Sequence, residues 1–238
     1  MKKNMSKVIL LLMLSAALTA KADVLAEWDI ASVNGPNDSE VTAVGIAQGL
    51  SATPLTATGV TPISAILGGY PGSFAASMWS TGNYDANKYY SFSVSADAGA
   101  TASISGISLS LTHGNYLGIG ASNWVLRTSQ DGFASDLVTY STAEYAINEQ
   151  AYFDSAFDSS LILSGSESVE FRLYGYYPGL SSDFSGLVNM VNGDYSGDVM
   201  SGTGSNVILH GVIPEPKALG LIGFAAAASL FVRRIFLV

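Results

Sequence analysis

Between residues 23 and 213 the chain repeatedly alternates apolar and polar side chains with period two. Tyr90, Phe92 and Val94 alternate with Ser91, Ser93 and Ser95. Ile107, Leu109 and Leu111 alternate with Ser108, Ser110 and Thr112, and Val169, Phe171 and Leu173 with Glu170, Arg172 and Tyr174. Successive side chains of a strand point to opposite faces, so this pattern predicts strands with one buried and one wet face, the habit of antiparallel sheets. Further strands are predicted over Val24–Ile30, Val41–Ala47, Trp124–Thr128, Val138–Tyr140, Ser160–Leu163 and Asn206–Val212. Turn signals separate them: Asn34-Gly35-Pro36, Tyr70-Pro71-Gly72, Gly82-Asn83, Asp131-Gly132 and Asn192-Gly193-Asp194. No stretch of this body holds a long helical period. The expectation is an all-β fold, an antiparallel β-sandwich of jelly-roll type, forming one domain over 23–211 without linker or fixed-period repeat.

The two ends break the pattern. Met1 to Lys7 is basic, Val8–Leu18 is an apolar run, and Ala20-Lys21-Ala22 follows. That order reads as a secretory signal peptide over 1–22, recognised at Ala20 and Ala22 and cut before Asp23. The run is too short to span a bilayer. At the other end Pro214 and Pro216 stop any preceding strand, because proline has no N–H to give a ladder. Ala218–Val232 then carries no charge, and Arg233 and Arg234 follow. A helix of that length is about 23 Å long, enough for one transmembrane segment once the arginines snorkel and Ile235–Val238 adds apolar length. The arginine pair places its end on the cytoplasmic side.

Charge sharpens this division. The chain has 10 Lys+Arg against 19 Asp+Glu and no Cys. Within 23–213 the only cations are Lys88, Arg127 and Arg172, against 18 carboxylates, a side-chain charge of −15. Such a body has no basic face to replace phosphate counterions, which excludes a nucleic-acid binder. Without cysteine there is no disulfide framework, thiol nucleophile or Cys-based zinc site. All 12 Tyr and all three Trp lie in the body, enough aromatic surface to build a core despite the abundance of Ser and Gly.

Pro214-Glu215-Pro216, the apolar helix after it and Arg233-Arg234 together resemble the PEP-CTERM sorting signal of exported bacterial proteins, here spanning 212–238. The resemblance implies recognition by exosortase, a membrane-embedded cysteine transpeptidase, cleavage near the motif, and transfer to the cell surface or extracellular matrix. Its carriers typically belong to Gram-negative bacteria that make exopolysaccharide. The implied route uses signal peptidase, then an inner-membrane intermediate held by the C-terminal helix, then exosortase. Ser122–Phe133, Val169–Gly175 and Ser205–Gly211 also resemble strands of a sandwich domain recurrent among PEP-CTERM proteins. Where that group often begins its last block with Asp, Ser205 stands here.

Candidate chemistry is sparse. His113 and His210 are the only histidines, and neither lies near a G-x-S-x-G elbow, so Ser-His-Asp catalysis has no sequence support and each reads as a strand or loop residue. Two histidines also fall short of a catalytic zinc set. Glu170 and Arg172 share the outward side of their strand and read as members of cross-strand charge pairs. Asn192, Asp194 and Asp198 in one Gly-rich turn offer oxygen ligands of the kind Ca²⁺ takes, against the plainer reading of a solvated loop. Trp79, Tyr84, Tyr176 and Tyr177 are candidate glycan-stacking residues, against the plainer reading of core aromatics. The expectation is a non-enzymatic exported protein without a cofactor, structural or adhesive in use. The alternatives are a carbohydrate-binding module for extracellular polysaccharide and a polysaccharide-cleaving enzyme.

Overall fold

The computed structural model describes residues 23–33, 40–62, 73–113, 121–145, 151–178, 189–192 and 206–214. Sixteen strands lie among them: β1 (Asp23–Trp28), β2 (Glu40–Val41), β3 (Ala43–Ile46), β4 (Leu50–Ala52), β5 (Leu55–Thr58), β6 (Thr61–Pro62), β7 (Ser73–Ser77), β8 (Ser80–Thr81), β9 (Tyr89–Ala96), β10 (Thr101–His113), β11 (Asn123–Thr128), β12 (Val138–Ser141), β13 (Ala151–Ser164), β14 (Ser168–Tyr177), β15 (Asn189–Asn192) and β16 (Val207–Val212). They form two sheets. The first runs β3-β1-β16-β10-β15-β7-β6, with β13 on the other side of β10; the second runs β12-β11-β14-β9-β5-β2, with β4 on β9 and β8 on β14. Every pairing is antiparallel except β14 with β8. The all-β antiparallel sandwich expected from the sequence is present, and β9, β10, β11, β13 and β14 mostly alternate between the sheets.

The alternation sorts side chains as predicted. Tyr90, Phe92, Val94 and Ala96 of β9 are buried while the intervening residues are half-exposed. Val169, Phe171 and Leu173 of β14 meet them from the neighbouring strand. Phe92 and Phe171 stack at 5.1 Å, and Trp28 closes on Phe92 at 4.4 Å from the opposite sheet. A second aromatic centre joins Trp79, Tyr90 and Trp124, with ring separations of 5.1 to 6.2 Å. The Tyr90 hydroxyl donates to the Phe74 carbonyl at 3.1 Å, giving the buried phenol a partner; burial raises its pKa well above the ordinary value. Gly175 faces Trp124 in register. A Cβ there would lie 2.7 Å from the indole ring, so only glycine admits Trp124 at this depth.

Several boundaries differ from expectation. The strand predicted over Val24–Ile30 ends at Trp28, and a short 3-10 turn over Ile30–Ser32 follows. Val41–Ala47 is two strands, β2 at the edge of the second sheet and β3 at the edge of the first, so the chain changes sheet at the exposed Thr42. Ser160–Leu163 is the tail of the much longer β13, whose register with β10 jumps from Ala156 to Leu161. That jump turns Phe157 into the core, 6.4 Å from Phe171, and a bulge of this kind breaks the regular ladder of a strand with one described partner. The predicted signal peptide and C-terminal helix lie outside the described residues.

The first and last described strands are neighbours. Asp23 of β1 stands opposite Gly211 of β16, and Val212 opposite Ser103 of β10. The β9–β10 and β13–β14 turns gather at the same end, tied by Gly165 N–H to the Ala100 carbonyl and Ala96 N–H to the Glu167 carbonyl.

Candidate functional site

The outward face of the second sheet carries Arg127 and Arg172, two of the three cations of the body. Arg127 on β11 and Arg172 on β14 stand directly opposite each other in register, a repulsive arrangement unless each is neutralised. Each is. Arg172 binds Glu170 at 2.7 Å, two residues along its own strand, so the predicted charge pair runs along β14 and not across strands. Arg127 binds Asp136 through Nε at 2.7 Å and donates to the Phe133 carbonyl at 2.9 Å, pinning the 129–137 loop to the sheet. Burial disfavours the Arg127 charge, but Asp136 outweighs it and raises the pKa; Glu170 does the same for Arg172.

Aromatic rings fill the spaces between. The Arg172 guanidinium lies 3.8 Å from the Phe133 ring centre and 4.5 Å from that of Tyr89; Arg127 lies 4.6 Å from that of Tyr84. Tyr174, flanked by Tyr84 at 5.2 Å and Tyr89 at 5.5 Å, is 2% exposed although it points outward, and its burial raises its pKa. Lys88 donates to the Met78 carbonyl at 2.6 Å and holds a left-handed backbone at Met78, φ 73°. The face is a small second core sealed by the 82–88 and 129–137 loops, and its ring surfaces are largely in use.

This decides the glycan candidates. Trp79 is 4% exposed and donates to the Ala76 carbonyl at 3.0 Å, so it is a core residue and presents no ring to a ligand. Tyr84 is half-buried beneath Arg127. Tyr176 meets Tyr84 edge-on at 6.4 Å. Tyr177 packs against the core while its carbonyl accepts from Gly82 N–H at 2.7 Å. The structure thus brings Tyr84 and Tyr176 together and leaves Trp79 inside. Asp131-Gly132 is the expected turn: Asp131 accepts from the N–H of Ser135 at 2.9 Å and of Ala134 at 3.2 Å, and Gly132 is left-handed.

Of the remaining candidates, Asp23 opens β1 and Asn192 closes β15. Pro214 follows β16, consistent with its predicted role as a strand stop. Ala20, Ala22, Asp194, Asp198, Glu215, Pro216, Arg233 and Arg234 lie outside the described residues. Among the described residues no group of three His, Cys, Asp or Glu is placed to hold a metal ion.

One constellation has no counterpart in the sequence reading. On the outer face of the first sheet, Ser108 Oγ lies 2.9 Å from Asp154 Oδ1 and 2.6 Å from His210 Nε2, linking β13, β10 and β16. The residues are of catalytic type, but their order is not. A hydroxyl has one proton and a carboxylate only accepts, so Ser108 donates to Asp154 and His210 donates to Ser108 through Nε2–H. A triad needs the histidine to accept the serine proton with the carboxylate behind it. Ser108 is also 3% exposed in mid-strand. The arrangement is a polar clasp across three strands, invisible in sequence because its members lie 46 and 102 residues from Ser108.

No family model matches the chain, and no curated protein matches it. Among solved structures, the K3 cleaved adhesin domain of Lys-gingipain from Porphyromonas gingivalis W83 aligns with 78% of this chain and 98% of its own, at 11% identity and a TM-score of 0.31.

Proposed function

We propose that this is an exported, non-enzymatic surface protein whose β-sandwich has a structural or adhesive task, sorted through a PEP-CTERM-type tail by exosortase. The observation that supports it most is the pairing of β1 with β16. Asp23, at the expected signal-peptidase cut, stands opposite Gly211, three residues before Pro214. On this reading both expected processing junctions would adjoin one end of the sandwich, with Tyr84 and Tyr176 toward the other. Winding of jelly-roll type is supported by the alternation of the long strands between sheets. The non-catalytic reading is supported by the order of Asp154, Ser108 and His210 and by the neutralised arginines.

Intact-mass measurement of protein released from the cell surface tests the route. The mature form is expected to lack residues 1–22 and the segment carrying Arg233 and Arg234. A surface form retaining both arginines in exosortase-competent cells refutes it. Replacing Pro214 and Pro216 by Ala is expected to leave the protein in the inner membrane, and unchanged surface display refutes the role of the motif.

A further inference from the structure

Among the described strands of four residues or more, β3, β12 and β13 pair on one side only. Such edges invite strand addition unless charge, proline, a bulge or a polar surface blunts them. β13 carries the exposed carboxylates Asp154 and Asp158 and a bulge. β12 exposes Thr139 and Ser141 and is flanked by Asp136 and Glu144. β3 has neither charge nor proline. Its one irregularity, where Trp28 meets Ala43, leaves Gly45 and Ile46 in register with Glu27 and Ala26. Ala26 is fully buried, yet Ile46 opposite it is 41% exposed, and Val44 on the same strand is 62% exposed. The apolar layer of the first sheet therefore reaches its rim uncovered. The backbone is open there too. Ala47 N–H donates to the Leu25 carbonyl at 2.9 Å, so by strand alternation the N–H and C=O of Ile46 face away from β1.

We propose that β3 docks antiparallel on β3 of a second copy of this chain, extending the first sheet across a two-fold axis. Charge selects this occupant. From Val41 to Tyr84 the chain carries no acidic or basic residue, in a body of side-chain charge −15. Two copies repel through their carboxylate-bearing surfaces and not through this edge, while a cationic partner finds no charge here to pair with. Pairing centred on Gly45 sets Val44 beside Ile46 of the second copy and Ile46 beside its Val44, an isologous contact of aliphatic cross-strand pairs. Gly45 brings no side chain to the axis. Glu27, behind it on β1, is bonded to Asn206 at 2.6 Å. The two Glu27 strands stand three strand spacings apart, about 14 Å, beyond the screening length at physiological salt. The contact is small, and a surface crowded with copies supplies the local concentration that makes it effective. This deepens the adhesive reading above by naming the partner, and rests on that reading only for its use at a surface.

The test is sedimentation equilibrium of the protein released from the cell surface, from about 1 to about 300 μM. A concentration-dependent dimer is expected, tightening as NaCl rises from about 0.05 to about 0.5 M because salt screens the acidic bodies. Val44→Lys should raise the dissociation constant more than about tenfold. Lysine lowers the net negative charge, so that loss cannot come from added repulsion, and at an exposed position the variant should melt with the parent. The chain has no cysteine, so single cysteines report the pairing directly. The N–H of Gly45 faces β1, which makes its pair across the axis a non-hydrogen-bonded one with Cα atoms about 4.5 Å apart, within disulfide reach. Under mild oxidation Gly45→Cys should cross-link faster than Asp158→Cys on β13. A monomer at every concentration overturns the proposal, whatever other peptide the edge takes up. So does a dimer that Val44→Lys leaves intact, or faster cross-linking at position 158. Retention on native extracellular matrix is measured in parallel. Retention of a protein that stays monomeric overturns the pairing and leaves the adhesive reading standing; a dimer without retention supports the pairing and overturns the adhesive reading; loss of both overturns both.

Discussion

Replacing Trp79 by alanine separates a core aromatic from a ligand platform. The indole is 4% exposed, packs edge-on against Tyr90 and Trp124 at 5.1 Å each, and donates to the Ala76 carbonyl. A side chain of this size withdraws about 200 Å² from water, about 5 kcal/mol at 25 cal/mol/Å² as an upper bound. The alanine keeps part of that, while an unfilled cavity and a bereft carbonyl add to the loss; core Trp→Ala changes cost about 3–5 kcal/mol. We expect about 4 kcal/mol. At about 2–4 °C per kcal/mol for a domain of this size, the melting temperature should fall by about 8–16 °C. Urea unfolding and calorimetry of the released protein measure both quantities. A loss below about 1 kcal/mol, a value typical of a surface substitution, would refute the core assignment.

Three further outcomes follow from the same geometry. Gly175→Ala should cost about 1–3 kcal/mol, because its methyl meets the Trp124 ring; unchanged urea midpoints would show that the indole moves freely. Arg172→Ala should cost about 1 kcal/mol, a half-exposed ion pair and two ring contacts together. Arg172→Lys should recover less than all of it, since an ammonium can neither fork onto Glu170 nor stack on Phe133; full recovery would deny the stacking. The Ser135 hydroxyl, and behind it the Ser135 and Ala134 N–H groups, hold the Asp131 carboxyl below its ordinary pKa. A depressed folded value means stabilisation that is present above about pH 4 and lost as pH falls through the folded pKa. Asp131→Asn should therefore flatten the acid limb of the stability profile, and a carboxylate NMR midpoint for Asp131 at or above about 3.9 would contradict the turn geometry.

The sequence was most legible where alternation was strict. The apolar residues of β9 and β14 announced their own inward faces, and Phe92 and Phe171 meet as the pattern implies. Legibility failed where period two breaks or where short strands are built from small residues. β13 alternates, but with Asp154, Ser155, Ala156 and a bulge at Phe157, so only its Leu161–Leu163 end carries an apolar signal. β7, Ser-Phe-Ala-Ala-Ser, reads like a loop and is held by its register with β15 and β6. Val41–Ala47 looks like one strand because nothing local at Thr42 announces a change of sheet. The candidate sites were less legible than the fold. Trp79 and Tyr84 both read as candidate stacking rings, yet whether a ring faces a ligand or a neighbour depends on Trp124 and Arg127, both about 40 residues or more away. The Asp154–Ser108–His210 clasp exists only once three strands are in register.

Asp23 and Gly211 also set a clock. Joining residues 188 positions apart costs about 4–5 kcal/mol in chain-closure entropy, and β16 is the last made of the described strands. The centre of the first sheet, β1-β16-β10, therefore cannot form from any N-terminal fragment that stops short of β16. β1 waits with an unpaired flank until the final strand arrives, and high contact order makes that arrival slow. On the proposed export route, a chain still threading through a membrane channel stays unable to close, and the commitment to fold coincides with the emergence of β16.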